Sequence, residues 1–460
     1  MRTQSDTRQP VKPTGRQAAG RTAGHAARLS AREVAGQVGG QFATATEDAI
    51  AASVHRIEST AVAGAIKGRG TALEIAGRFE PLRRENVDDG WQPLDADDEA
   101  DHRPSPQTQV LIENARSIIT RNRSPDVFFN LSLNPYRGCE HGCIYCYARP
   151  NHAYVGLSPG LDFETRLFAK VNAPGLFRAE LARASYQCEP IHIGGVTDPY
   201  QPVERQYRIT RQLLEVALEH RQPVTLITKG SLVERDIDLL AEMARLELTT
   251  VFLTVTTLDG QLARRLEPRA SAPWRRLETI RRLSAAGIPV GVSLGPLIPF
   301  INDHEIETVL GASREAGARG AHYTIIRLPL EVSPLFEQWL QAHFPDRARR
   351  VMHRIQDMRD GRNYDSRYFN RMRGEGALAN LIRMRFENTV RKLGLNRERP
   401  LLRSDLFVRP IRLAVKEQAG QQQAGQAGQA GQAGQAGQAG QAEPSHGGRL
   451  PEVPEQLSLI

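Results

Sequence analysis

Asn134-Pro-Tyr-Arg-Gly-Cys-Glu-His-Gly-Cys-Ile-Tyr-Cys-Tyr147 sets three cysteines, Cys139, Cys143 and Cys146, in a C-x3-C-x2-C run. Three thiolates are one short of the four that normally hold a [4Fe–4S] cube. Such a loop would ligate three irons and leave the fourth open to an outside ligand. Catalytic metal sites differ from structural ones in the same way. Zinc is the competing reading, with Cys139, Cys143 and Cys146 completed by His141, His152 or Cys188 in a tetrahedral cage. Structural zinc sites usually add a second, distant ligand pair, whereas Cys188 stands alone in the chain. An incidental cluster of cysteines is the third possibility.

The flanking chain alternates strand and helix. An apolar run at 128–133 ends just before the cysteines, and 191–197, 223–228, 250–256, 288–294 and 321–327 read as further short strands. Helical spacing of apolar residues covers 205–220, 233–246 and 272–286, the last with Ser271 as N-cap. Asp303 is placed to cap another helix, with Glu305 and Glu307 in the first turn, where the helix dipole favours them. Short strands separated by helices imply βαβ units and a parallel sheet. Six or so units are too few for a closed eight-stranded barrel. They fit an α/β fold of the open, TIM-like kind, a partial (β/α)6 barrel.

In parallel α/β folds, ligands collect at the carboxyl ends of the strands. Those ends here carry Gly194-Gly-Val-Thr-Asp-Pro-Tyr-Gln-Pro-Val-Glu204, Thr228-Lys-Gly230, Thr254-Val-Thr-Thr257 and Ser293-Leu-Gly-Pro-Leu-Ile-Pro299. Lys229, emerging at a strand end, can pair with a ligand carboxylate or with an acid of the chain such as Glu234. Asp198 reads equally well as the start of a turn.

The cysteine spacing, with Tyr145 before the third cysteine, resembles the signature of the radical S-adenosylmethionine (SAM) superfamily. The stretches Thr197-Asp-Pro-Tyr-Gln-Pro202, Ile227-Thr-Lys229 and Glu267-Pro-Arg-Ala-Ser-Ala-Pro273 extend the resemblance, in order and spacing over 128–323, to its spore photoproduct lyase-like branch. The resemblance implies a (β/α)6 core whose cluster loop follows the first strand. It implies a [4Fe–4S] cluster on Cys139, Cys143 and Cys146, with SAM on the open iron cleaved by one electron to methionine and a 5′-deoxyadenosyl radical. Tyr145 would lie along the adenine, and Gly194 and Gly195 would admit the methionyl amino group. Thr197 and Lys229 would hold the carboxylate and ribose ends, with Asp198 and Thr254 as further cofactor contacts. In spore photoproduct lyase proper, a cysteine near the end of the second strand donates a hydrogen atom; by register that position is Gly195. Cys188 precedes the strand, on the closed face of the barrel, and reads as a small buried hydrophobe. Tyr147 and Tyr200 are the alternative donors.

The chain has 460 residues, a net charge of +8 and only four cysteines. Few cysteines, three of them clustered, argue against a disulfide scaffold and for a reducing compartment, with cytoplasm as the default. No apolar run approaches membrane-spanning length. The Arg-rich, acid-poor start admits an organelle transit peptide but reads more simply as a basic arm. Between Arg347 and Arg399 fifteen basic residues face six acidic ones, which favours a polyanionic partner such as DNA or RNA, or forms a solvated helical face.

Composition divides the chain into a disordered arm (1–65), an ordered extension (66–107), a core (108–344), an Arg-rich helical extension (345–415) and a Gln-Ala-Gly linker with a terminal peptide (416–460). That peptide, Gln456-Leu-Ser-Leu-Ile460, resembles the motif by which bacterial repair proteins dock on the DNA sliding clamp, with Ile460 in place of the usual aromatic anchor. Two enzymatic expectations follow, a radical SAM enzyme acting on nucleic acid or one acting on a small molecule or peptide. Either needs an electron donor of flavodoxin or ferredoxin type. The contrasting expectation is a zinc-stabilised nucleic-acid or clamp-binding protein without catalysis.

Overall fold

Short runs that alternate aliphatic and small polar residues build the centre of the molecule. In chain order the strands are β1 (Gln109–Ile112), β2 (Ile119–Arg121), β3 (Leu131–Leu133), β4 (Tyr136–Arg137), β5 (Arg166–Ala169), β6 (Ile191–Ile193), β7 (Val224–Thr228), β8 (Thr249–Thr254), β9 (Val290–Leu297) and β10 (Gly320–Ile325). The computed structural model describes residues 66, 68–71, 73–79, 107–398 and 400–411. The expected basic arm, the segment 80–106, the Gln-Ala-Gly repeat and the terminal peptide lie outside the described residues.

The main sheet has the order β10-β9-β8-β7-β6-β3-β2. β3, β6, β7, β8, β9 and β10 pair in parallel, and β2 adds an antiparallel edge. β2 and β10 are the free ends of this sheet, so the barrel is open, with six parallel strands as expected. A second sheet, β1-β5-β4, lies outside that series and was not foreseen.

Period-two alternation sorts the side chains. Ile191, Ile193, Leu226, Leu253 and Val292 are completely buried. Their chain neighbours His192, Ile227, Thr254 and Ser293 line the inner cavity. The far part of the lumen is filled by rings: Phe129 stacks on His192 at 4.3 Å, Phe252 meets His322 at 5.0 Å, and Phe128 reaches His322 at 6.5 Å. Burial lowers the pKa of His192 to about 3 and that of His322 to about 4, so both rings are neutral at physiological pH.

Helices α1 (Ala173–Leu181), α2 (Ile209–Glu219), α3 (Ile237–Arg245), α4 (Gly260–Leu266), α5 (Pro273–Ala285) and α6 (Ile306–Glu315) fall between the strands. α5 shows why such segments form. Pro273 occupies the first turn, where its missing N–H costs nothing, and Arg276, Ile280 and Leu283 share one buried face. After β10 the chain continues as α7 (Val332–His343), α8 (Pro345–Asp357), α9 (Asn370–Arg373) and α10 (Gly376–Leu393). α10 packs along α6, and its Phe386 ring lies 4.6 Å from Tyr323 of β10.

Several local expectations are corrected. The strand expected over 191–197 stops at Ile193, because Gly194 turns to φ +99°. The helix expected over 205–220 breaks at Arg208, which takes a left-handed conformation at φ 52°. Ser271 is not the cap of α5; Ala272 holds that place, and the Ser271 hydroxyl accepts the Ser231 N–H. Asp303 accepts the N–H of Phe300, and Glu305 ties down the Thr257 hydroxyl and the Leu258 N–H, so loop closure outranks the helix dipole there.

One ion pair spans the two free ends of the sheet. Asp126, in the loop between β2 and β3, takes both Nε and Nη2 of Arg371 in α9 at 2.7 and 2.6 Å, with both side chains nearly inaccessible. Breaking a buried pair strands the surviving charge. Arg371→Ala should therefore cost about 3–5 kcal/mol in guanidinium denaturation, and the double variant Asp126→Asn/Arg371→Met less. Burial opposes but the arginine contacts win, so the Asp126 carboxyl is held below its ordinary 3.8. The stabilisation is thus full above that value and fades as pH falls toward the depressed one. A parent protein with no such acid-dependent loss relative to Arg371→Ala would contradict this assignment.

Candidate functional site

The cysteine loop follows β3 and turns sharply, with Gly138 and Gly142 both left-handed at φ +73° and +66°. A side chain at Gly142 would also strike the Glu164 carboxylate at 2.8 Å. The loop is then tied to its surroundings from several sides. Cys139 N–H donates to Phe163 at 2.9 Å, and Ile144 N–H to Leu266 at the end of α4 at 3.1 Å. The Gln201 amide holds both flanks, accepting Glu140 N–H and donating to the Gly138 carbonyl. Arg149, wholly buried, donates to the carbonyls of Cys143 and Gly160 at 3.0 and 2.9 Å and pairs with the buried Glu164. Burial lifts the Glu164 carboxyl above its usual range, against the pull of Arg149.

The three thiols line one side of a cavity of about 230 Å³ at the carboxyl ends of the strands, far above the ~10–15 Å³ one water needs. The cavity wall also carries Tyr145, Gly194, Gly195, Thr197, Asp198, Lys229 and Thr254, so every residue assigned to the cluster or to SAM from the sequence is gathered there. Burial pushes all three thiols up: Cys139 well above its ordinary value, Cys143 to about 12, and Cys146 upward. Neighbouring negative groups add to the effect for Cys139 and Cys143, Asp198 for the first and Glu267 for the second.

Each polar residue of the wall has a definite station. Asp198 lies 3.3 Å from His141 Nδ1 and accepts the Thr228 hydroxyl and the Lys229 N–H at 2.6 and 2.7 Å. Burial opposes ionisation of Asp198, but His141 and these donors hold its pKa at about 2. The Thr197 hydroxyl donates to the Tyr136 carbonyl at 3.2 Å. Tyr145 donates its hydroxyl to Glu267, which also takes the Thr256 hydroxyl and pairs with the buried Arg276. Gly194 is required by its positive φ and because a Cβ would meet the Ile227 carbonyl oxygen at 2.6 Å. At Gly195 a Cβ would make only ordinary contact, 3.4 Å from His192 and 3.5 Å from Phe129.

Lys229 is a cation of the inner wall without a carboxylate partner among the described residues. Its ammonium stands 5.8 Å from the centroid of the Tyr145 ring. Glu234, the alternative partner named from the sequence, is held by Arg275 and Arg282 instead. Burial lowers the Lys229 pKa, but Cys143 and Glu267 outweigh it, so the net shift is upward and the group stays charged.

The residues fit an iron–sulfur cluster better than a zinc ion. Among the described residues no three His, Cys, Asp or Glu side chains close on a point suited to one metal ion. Two of the candidate fourth ligands are engaged elsewhere, His152 Nε2 lying 2.8 Å from the Arg166 carbonyl and Cys188 donating to Gln222 at 3.4 Å, while His141 stands 3.3 Å from Asp198. Three thiols around an open volume, with Lys229 and the Arg149 guanidinium beside them, suit a polynuclear, charge-demanding group. Cys188 is half-buried, not buried as expected.

Residues 133–311, which include the cysteine loop, match the family model described as the Radical SAM superfamily. An uncharacterized protein of Mycobacterium tuberculosis is 34% identical over 220 residues, which cover 47% of this chain and 65% of that relative. One from Methanocaldococcus jannaschii is 27% identical over 214 residues, 46% of this chain and 76% of the relative. A solved spore photoproduct lyase, complexed with dinucleoside spore photoproduct, aligns at 12% identity and a TM-score of 0.46, covering 62% of this chain and 80% of that one.

Arg149, Gln201 and the Glu267–Arg276 pair were missed from the sequence. Position was the only clue, since Arg149 follows the last cysteine closely and Glu267 opens a stretch already singled out. Arg149→Met should lower the iron bound per chain after anaerobic reconstitution well below the parent's, with Arg149→Lys intermediate. Iron equal to the parent's in Arg149→Met would show that the loop holds its shape without the guanidinium. Lys229→Ala should keep the iron and weaken SAM binding in equilibrium dialysis; loss of iron would make Lys229 structural.

Proposed function

We propose that this chain is a radical SAM enzyme whose substrate is nucleic acid. The observation that carries the reading is the meeting of Cys139, Cys143 and Cys146 with Lys229 around one cavity, at the carboxyl ends of six parallel strands. When bound on the three cysteines, a [4Fe–4S] cluster supplies the electron for reductive cleavage of SAM. The chain's own residues supply position and environment. Lys229 offers a SAM carboxylate a charged partner in a site with little competing water. Gly195 leaves its wall bare for a close approach, and the ring-filled lumen seals the far side against solvent. Arg149 and Gln201 keep the thiols fixed while the ligand changes.

A nucleic-acid substrate is supported by the net charge of +8, the basic excess between Arg347 and Arg399, and the sequence resemblance to the spore photoproduct lyase-like branch. The reaction differs from that enzyme's own, because position 195 is glycine and Cys188 sits before β6 rather than after it. The reading includes a flavodoxin- or ferredoxin-like electron donor, a cytoplasmic setting and clamp docking through Gln456-Leu-Ser-Leu-Ile460, which lies outside the described residues. Among the described residues no helix is long and apolar enough to cross a membrane.

Anaerobic reconstitution, dithionite reduction and assay for 5′-deoxyadenosine test the reading directly. The parent should form it from SAM, and Cys143→Ala should not. No product from the parent, or equal product from both, would overturn the enzymatic assignment.

A further inference from the structure

Arg327 lies just beyond the end of β10, is 7% exposed, and lines the same cavity as the cysteines. Its Nε and Nη2 are buried and have no hydrogen-bond partner. Its Nη1 reaches only the Met372 sulfur, at 3.6 Å, a weak acceptor. The guanidinium stacks on Tyr147, 4.6 Å from the ring centroid, which fixes its plane but leaves its edge unused. No carboxylate lies within ion-pair distance of it among the described residues.

This is unlike the other deeply buried arginines. Arg149 has Glu164, Arg276 has Glu267, Arg371 has Asp126, and Arg359 has the carbonyls of Ile326, Asn370 and Arg371. A buried charge without a partner is costly. The unused edge is also a specific one. Nε and Nη2 together form the parallel donor pair that grips two oxygens of one oxyanion. Arg371 uses that edge for Asp126, Arg137 for Glu113 and Arg385 for Glu307. At Arg327 the edge is present and the oxyanion is not part of the chain.

We infer that Arg327 is a substrate-recognition residue that takes an oxyanion, a backbone phosphate of the nucleic acid, on its Nε/Nη2 edge. The inference rests on the proposed function and names the group of the substrate that is held. The other source of an oxyanion in this cavity is the carboxylate of SAM. Sheet order favours the substrate. Lys229 extends from β7, where Cys143 and Glu267 surround it, whereas Arg327 follows β10, three strands along, beside Met372 of the C-terminal extension. Tyr147, on which the guanidinium stacks, is the aromatic group of the wall beside it.

The test compares the reconstituted parent with Arg327→Met and Arg327→Lys in anaerobic equilibrium dialysis. The probes are a short single-stranded oligothymidylate, its uncharged methylphosphonate analogue, and SAM alone. Arg327→Met should weaken the phosphodiester oligonucleotide about tenfold. It should leave the methylphosphonate analogue and SAM unchanged, and Arg327→Lys should recover only part of the loss. Unchanged oligonucleotide binding, an equal loss for the uncharged analogue, or a loss confined to SAM would each overturn the inference. Formation of 5′-deoxyadenosine without substrate reports separately on the cofactor site. Parent protein that makes none would sink the proposed function, whatever Arg327→Met does to oligonucleotide binding.

Discussion

The candidate site turns on sheltered sulfur: Cys139 and Cys143 are buried and Cys146 half-buried at the wall of one cavity. The apolar setting, with acids nearby, pushes the thiols of Cys139, Cys143 and Cys146 up. The fold answers with geometry first. Arg149 and Gln201 bind the loop through its carbonyls and amides, leaving the sulfurs aimed at the cavity. It answers with charge second, through Lys229 on the next strand but one and Arg276 behind Glu267. The fold thus sets two cationic side chains near the three thiols.

The architecture was largely legible because it is written in short-range pattern. The apolar runs and the helices between them announced the six parallel strands, and the cysteine triplet fell directly after the first. What escaped notice is decided by partners distant in sequence. β4 and β5 form a side sheet with β1, and nothing local to Tyr136–Arg137 declares it. Arg208 interrupts a well-patterned helix by adopting a left-handed turn, and Ser271 gives its hydroxyl to Ser231 in place of the helix it precedes. In each case tertiary contacts overrode a correct local preference.

The candidate site was legible in outline and opaque in its supports. Residue types marked Cys139, Cys143 and Cys146 as candidate ligands and strand-end position marked Lys229, and the structure gathers all four at one cavity. The Thr197-Asp-Pro-Tyr-Gln201 stretch is mostly a brace: Asp198 ties β7 to His141, Tyr200 donates to Asp236, and Gln201 grips the cysteine loop. Arg327 was invisible for the opposite reason. Nothing marks an arginine after an apolar strand as unusual until the absence of a carboxylate beside it is seen in three dimensions.

The Asp126–Arg371 contact gives the open sheet an unusual seam. Main-chain ladders join every adjacent pair of strands from β2 to β10, but the remaining gap in the ring is bridged by side chains, this ion pair and the Phe128–His322 ring contact. A wall stitched this way can part without tearing a single ladder hydrogen bond. Parting it would separate Asp126 from Arg371, a change the strands themselves need not join.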